Sequence, residues 1–79
     1  MELIVGHVYR AKKPRNCQGY FNDRQVLSIN MYTLSYDSVT VKIGQHYPCV
    51  TISKFLEWAG EDVTEGYLEN YWELWKSKR

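Results

Sequence analysis

Alternation comes first in this chain and helical spacing comes last. Val8–Ala11 after Gly6-His7, and Arg24–Ile29, are strand candidates; period-two patterning is clearer in Thr33–Tyr36 and Ser38–Ile43, and a further extended run spans Tyr47 to Ile52. Pro48 places that last run at a sheet edge or a strand start. Asp37-Ser38 reads as a bulge or a tight turn, and Asn30–Tyr32 and Gly44–His46 read as turns. Helical signals follow. Ser53 can cap a short helix over Lys54–Ala59, with Gly60 in the stop position. Asp62 and Glu65 have capping-box spacing for a second helix. On that helix Tyr67, Leu68, Tyr71, Trp72 and Trp75 fall on one arc, opposite Glu69, Glu73 and Lys76. Gly66 costs it about 1 kcal/mol relative to Ala, so it forms when docked.

Strands followed by helices predict an α+β fold. The expected architecture is a small SH3-like, strongly bent antiparallel sheet or barrel of four or five strands, with a C-terminal helical segment. A single domain spans 1–79, with a β-rich body over 1–52 and the helices over 53–79. At 79 residues, one core supplies only about 3–5 kcal/mol of net stability. Three Trp, seven Tyr and two Phe compensate, each able to bury about 150–250 Å².

The formal charge of +1 argues against an acidic disordered tail and a histone-like basic protein. It is a cancellation. Residues 1–55 carry seven basic and three acidic side chains, residues 56–75 six acidic and none basic, and Lys76, Lys78 and Arg79 end the chain.

No G-x-S-x-G, P-loop, G-x-G-x-x-G or H-E-x-x-H occurs. His46 and Cys49, three apart on an extended run, face opposite ways and make no thiol–imidazole pair. Adding His7 and Cys17 gives a Cys₂His₂ set, but without the two tight ligand pairs usual for zinc. The expectation is a protein that is not an enzyme, with no catalytic residues, metal or cofactor. Two cysteines, no Asn-x-Ser/Thr site, no signal-like start and no apolar run near about 20 residues predict a cytoplasmic protein with reduced thiols and no membrane contact.

Two surfaces point to binding. Arg10, Lys12, Lys13 and Arg15 put four positive charges within six residues, and Tyr20, Phe21 and Arg24 follow in the same connection. Cations meet phosphates and rings stack on unpaired bases, so this loop predicts nucleic-acid contact. The bland alternative is a solvated loop whose Tyr20 and Phe21 fold back over the barrel end. The second surface is aromatic: Trp58, Tyr71, Trp72 and Trp75 either cover the sheet or form a hot spot for a host protein or a second copy of the chain. The expected oligomeric state is a monomer or a weak homodimer.

Gly6-x-Val8-Tyr9-Arg10, a long polar loop, Asp23-Arg24-Gln25-Val26 and Leu34-Ser35-Tyr36-Asp37 together resemble small SH3-like barrels. With the closing Phe55-Leu56-x-Trp58-Ala59, the pattern is similar to uncharacterised single-domain proteins of bacteriophages and enterobacterial prophages. The resemblance covers about residues 6–63. It departs from signalling SH3 domains in having no acidic run in the first loop and no clear match to their paired-tryptophan groove. It implies a cytoplasmic, non-enzymatic module related to phage or prophage.

Overall fold

The structure is a computed structural model that describes residues 1–17, 20–42 and 44–67. Seven short strands and one α-helix are present among them: β1 Val8–Ala11, β2 Asn16–Cys17, β3 Tyr20–Phe21, β4 Arg24–Ile29, β5 Thr33–Ser38, β6 Cys49–Thr51, α1 Ile52–Trp58 and β7 Ala59–Asp62. A 3-10 turn, Thr64–Tyr67, follows β7. Five strands form one antiparallel sheet in the order β6-β5-β4-β1-β7, and β2 and β3 form a separate ribbon. The α+β expectation holds at this level: a five-stranded antiparallel sheet with one short helix. Its two end strands, β6 and β7, do not pair with each other.

Strand β1 lies between β4 and β7 and is covered on both faces. Val8 and Tyr9, adjacent and therefore pointing oppositely, are both fully buried. Tyr9 joins Val26, Leu34, Tyr36, Phe55 and Ala59 in the main core. Val8 packs with Val39, Tyr67 and Val63 in a smaller one. The Tyr9 hydroxyl accepts from the Ile4 amide at 2.9 Å and donates to the Glu2 carbonyl at 3.1 Å, fastening the first residues across the core. Register shifts at Arg10/Ala11 and at Val26/Ser28 mark irregularities in the ladder. Bulges of this kind bend and twist a strand, which helps a small sheet wrap its contents.

Three local expectations need correction. Ser38–Ile43 is not a separate strand: β5 runs through Asp37 to Ser38, and a turn closes with the Val41 amide donating to the Ser38 carbonyl at 3.0 Å. Asp37 Oδ1 accepts from the Ser38 amide, and Ser38 Oγ accepts from the Thr40 hydroxyl. Such side-chain bonds offer the backbone an alternative to a ladder. Val39 and Val41 are buried all the same, so their alternation reflected burial and not extension. Helix α1 begins earlier than Ser53. Its cap is Thr51, whose Oγ1 accepts from the Lys54 amide at 3.2 Å, which lets Ile52 and Phe55 both face the core. Gly60 does not stop the helix: Ala59 is the C-cap in extended geometry, and Gly60 lies in β7.

Asp62 holds the start of the next element through Thr64, without the reciprocal Glu65 bond of a capping box among the hydrogen bonds of the described residues. Its Oδ1 accepts from the Thr64 amide at 2.9 Å and also from the Thr64 hydroxyl. That element is a 3-10 turn over the described residues. The predicted continuation through Tyr71, Trp72 and Trp75 lies outside the described residues. Among the described residues, no helix is long and apolar enough to cross a membrane.

Candidate functional site

The β1–β4 connection is ordered by its own ribbon. β2 and β3 pair Asn16 with Phe21 and Cys17 with Tyr20. The Asn22 amide donates to the Arg15 carbonyl at 2.9 Å, and the Arg15 amide donates to Asn22 Oδ1 at 3.0 Å. The connection read as a loop thus carries a short antiparallel ribbon, held at its neck by Asn22. This neck sets Arg15 across from the start of β4, where Arg24 sits.

The basic loop residues take two different roles. Arg10 turns inward: Nε and Nη2 each donate to the Asp23 carboxylate at 3.0 Å. Asp23 is fully buried and also accepts from the Tyr67 hydroxyl. The Asp23 hydrogen bonds hold the Arg10 guanidinium above its ordinary value. The Phe21 ring lies against the same guanidinium, with its centroid 4.1 Å from Cζ. A bidentate pair stacked on a ring is a local structural tie. Arg10 and Phe21, expected at phosphate and base, are therefore engaged with each other and with Asp23. Phe21 nevertheless keeps 40% of its surface exposed.

Lys12, Lys13 and Arg15 are exposed and Arg24 is half-buried, and the four converge. They line one groove of about 460 Å³ with Ala11, Asn22, Glu57 and Trp58. Two elements build it. The neck of the β2–β3 ribbon supplies Arg15 and Asn22, and the end of α1 supplies Glu57 and Trp58. The Lys12 amide donates to the Trp58 carbonyl at 2.9 Å and joins the two walls. Trp58 is half-buried and packs on Phe55, with ring centroids 5.2 Å apart and planes at 53°. The sequence placed Trp58 on a partner surface distinct from the basic loop, but the fold puts it beside the loop cations.

Arg24 is the most constrained of the four. Its Cζ lies 4.1 Å from the Trp58 ring centroid and 4.4 Å from that of Tyr36. Burial lowers its guanidinium from the ordinary value, and Tyr36 opposes this. Among the described residues the two ion pairs are His7–Asp62 and Arg10–Asp23, so none of the four groove cations has a carboxylate partner. Asn22 spends its carbonyl oxygen on Arg15, which leaves its amide nitrogen to donate. Among the polar lining residues Glu57 is the one acid, and Ala11 and Trp58 give the groove an apolar part.

Asp23 and Asn22 went unnoticed as functional residues in the sequence. Asp23 is the one carboxylate between Arg10 and Arg24, and that singularity is the signal for an internal partner. Asn22 carries no comparable signal. Cys49 is exposed on the edge strand β6, and among the described residues no group of three or more metal-ligating side chains occurs. Comparison of the chain with family models, curated proteins and solved structures finds no match to any of them.

Proposed function

We propose that this protein is a small SH3-like binding module that holds single-stranded nucleic acid in the groove between its first loop and α1, and that it binds without transforming its ligand. The fold part of this reading is supported by the strand order, in which a β4-β5-β6 meander is joined to a β1–β7 pair and a ribbon lies in the first long connection.

One observation carries the functional part. Lys12, Lys13, Arg15 and Arg24 share one groove with Trp58, and none of them is neutralised by a carboxylate among the described residues. Cations gathered this way gain affinity from phosphates by releasing condensed counterions. An indole beside them suits a base with an open face. A concave site suits a single strand, whose phosphates and bases can enter it together. A duplex presents its phosphates on a convex surface.

Fluorescence anisotropy with a labelled ten-nucleotide strand tests this. Binding is expected to weaken with salt, with a log–log slope of about −3 if all four cations meet phosphates. Neutralising Lys12, Lys13 and Arg15 together removes about 2 from that slope. Absent or salt-insensitive binding by the wild-type protein excludes the reading.

A further inference from the structure

We infer that Arg24 is the phosphate anchor of this groove, reading a pair of phosphate oxygens through its guanidinium edge while Lys12, Lys13 and Arg15 supply unspecific charge. The inference rests on the groove being an anion site.

The geometry separates Arg24 from its neighbours. Two rings, Trp58 and Tyr36, lie within 4.4 Å of Cζ and fix the plane of the guanidinium. A fork held in this way loses little freedom when it binds a planar or tetrahedral oxygen pair. Its N–H donors are uncommitted, since no hydrogen bond or ion pair ties them among the described residues. The contrast with Arg10 is direct. Both arginines lie against aromatic rings, but Arg10 spends Nε and Nη2 on Asp23 and Arg24 spends neither. Asn22, two residues before Arg24 and in the same groove, adds an amide donor. Bidentate donation to phosphate is the chemistry for which an arginine cannot be replaced by lysine.

Phosphate oxygens reach such a site from a strand terminus or from an internal diester, and the two sources are separable. The probes are inorganic phosphate, a 5′-phosphorylated ten-nucleotide strand and the same strand with a 5′-hydroxyl. Wild-type protein titrated with inorganic phosphate is followed through the Arg24 Nε–H resonance in nitrogen-edited NMR spectra, which needs no variant. A saturable shift of that resonance, larger than those of Arg15 and Arg10, supports the anchor. Arg24→Lys, with its melting temperature checked alongside, is expected to lose at least tenfold in strand affinity, whereas Lys12→Gln loses about twofold to threefold. Loss confined to the 5′-phosphorylated strand identifies a terminal phosphate. Equal loss on both strands identifies an internal diester. If phosphate shifts Arg24 but neither strand binds, the anchor stands and the nucleic-acid reading falls. If strands bind wild type and Arg24→Lys equally well, or the Arg24 resonance does not respond to phosphate, the anchor is overturned.

Discussion

Asp23 lies fully buried where the first loop returns to the sheet, and Arg10 holds it from the neighbouring strand through two donors at 3.0 Å each. The Tyr67 hydroxyl completes the cluster from 44 residues away. This carboxylate therefore joins β1, the loop neck and the 3-10 turn. The most basic stretch of the chain consumes one of its own charges to fix the shape of the loop, and the remaining cations are presented from that fixed shape.

Removing Arg10 leaves the Asp23 carboxylate fully buried with no cation beside it, whereas removing Asp23 leaves an arginine whose side chain is 24% exposed. Arg10→Met is expected to cost about 3–5 kcal/mol, comparable with the whole stability of a domain this small, and Asp23→Leu less, because the arginine it leaves is partly solvated. The double replacement Arg10→Met/Asp23→Leu costs clearly less than the two single changes added together, because no charge is then stranded. Urea denaturation followed by far-ultraviolet circular dichroism measures all three. Strict additivity would show that the contact contributes nothing.

Acid stability is set in part at the other end of β1. Burial pushes the Asp62 carboxyl up, but hydrogen bonds from His7 and Thr64 outweigh it and leave the group below its usual range. The His7 Nδ1 contact is 2.7 Å. A carboxyl depressed in the folded state contributes stability that is present above its unfolded value of about 3.9 and is lost as pH falls through the folded value. Asp62→Asn is thus expected to flatten the fall in melting temperature below about pH 4. Neutral pH is the control: there the variant is less stable than wild type. An unchanged acid limb would mean that Asp62 is not linked to folding.

The bounds of Val8–Ala11 and Arg24–Ile29 match the sequence reading, although burial alternates along neither strand. The sheet was not legible at Ser38–Ile43, because Val39 and Val41 are buried from a turn stabilised by Asp37 and Ser38 side chains. Periodicity reports which residues face inward, and only together with local hydrogen bonding does it report extension. The site divided similarly. Lys12, Lys13, Arg15 and Arg24 were visible as a basic run beside the sheet. That Arg10 would leave the run depends on a buried Asp23, and that Trp58 would join it depends on how α1 docks. Both are tertiary facts with no local pattern.

Trp58 is expected to show separable roles in stability and in the groove. It closes the core over Phe55 and stacks on Arg24. Trp58→Ala removes both contacts and lowers stability by about 3 kcal/mol, the low end for a large aromatic because the ring is only half-buried. Trp58→Phe keeps a ring on Phe55 but weakens the cation–π contact, at about 1 kcal/mol. Thermal melts of both variants resolve the difference. A Trp58→Ala protein as stable as wild type would place the indole outside the core.

Gly60 ties groove and sheet together through space. A Cβ at this position would sit 2.9 Å from Lys12 Cα, 3.1 Å from Lys12 N and 3.3 Å from Ala11 C. All three atoms are backbone, so no side chain can swing aside. The crowding falls beside the β1–β7 register shift at Arg10/Ala11, where Lys12 N donates to the Trp58 carbonyl. Gly60→Ala must push β7 away from Lys12, at about 1–3 kcal/mol for an overpacked site. Because that hydrogen bond joins the two groove walls, the same change also displaces Lys12 from Trp58. Amide hydrogen exchange at Lys12 reports the displacement directly: its protection is expected to drop in Gly60→Ala by more than that of the Tyr9 amide in the same strand. Equal changes at both amides would point to uniform destabilisation and not to a local opening of the groove.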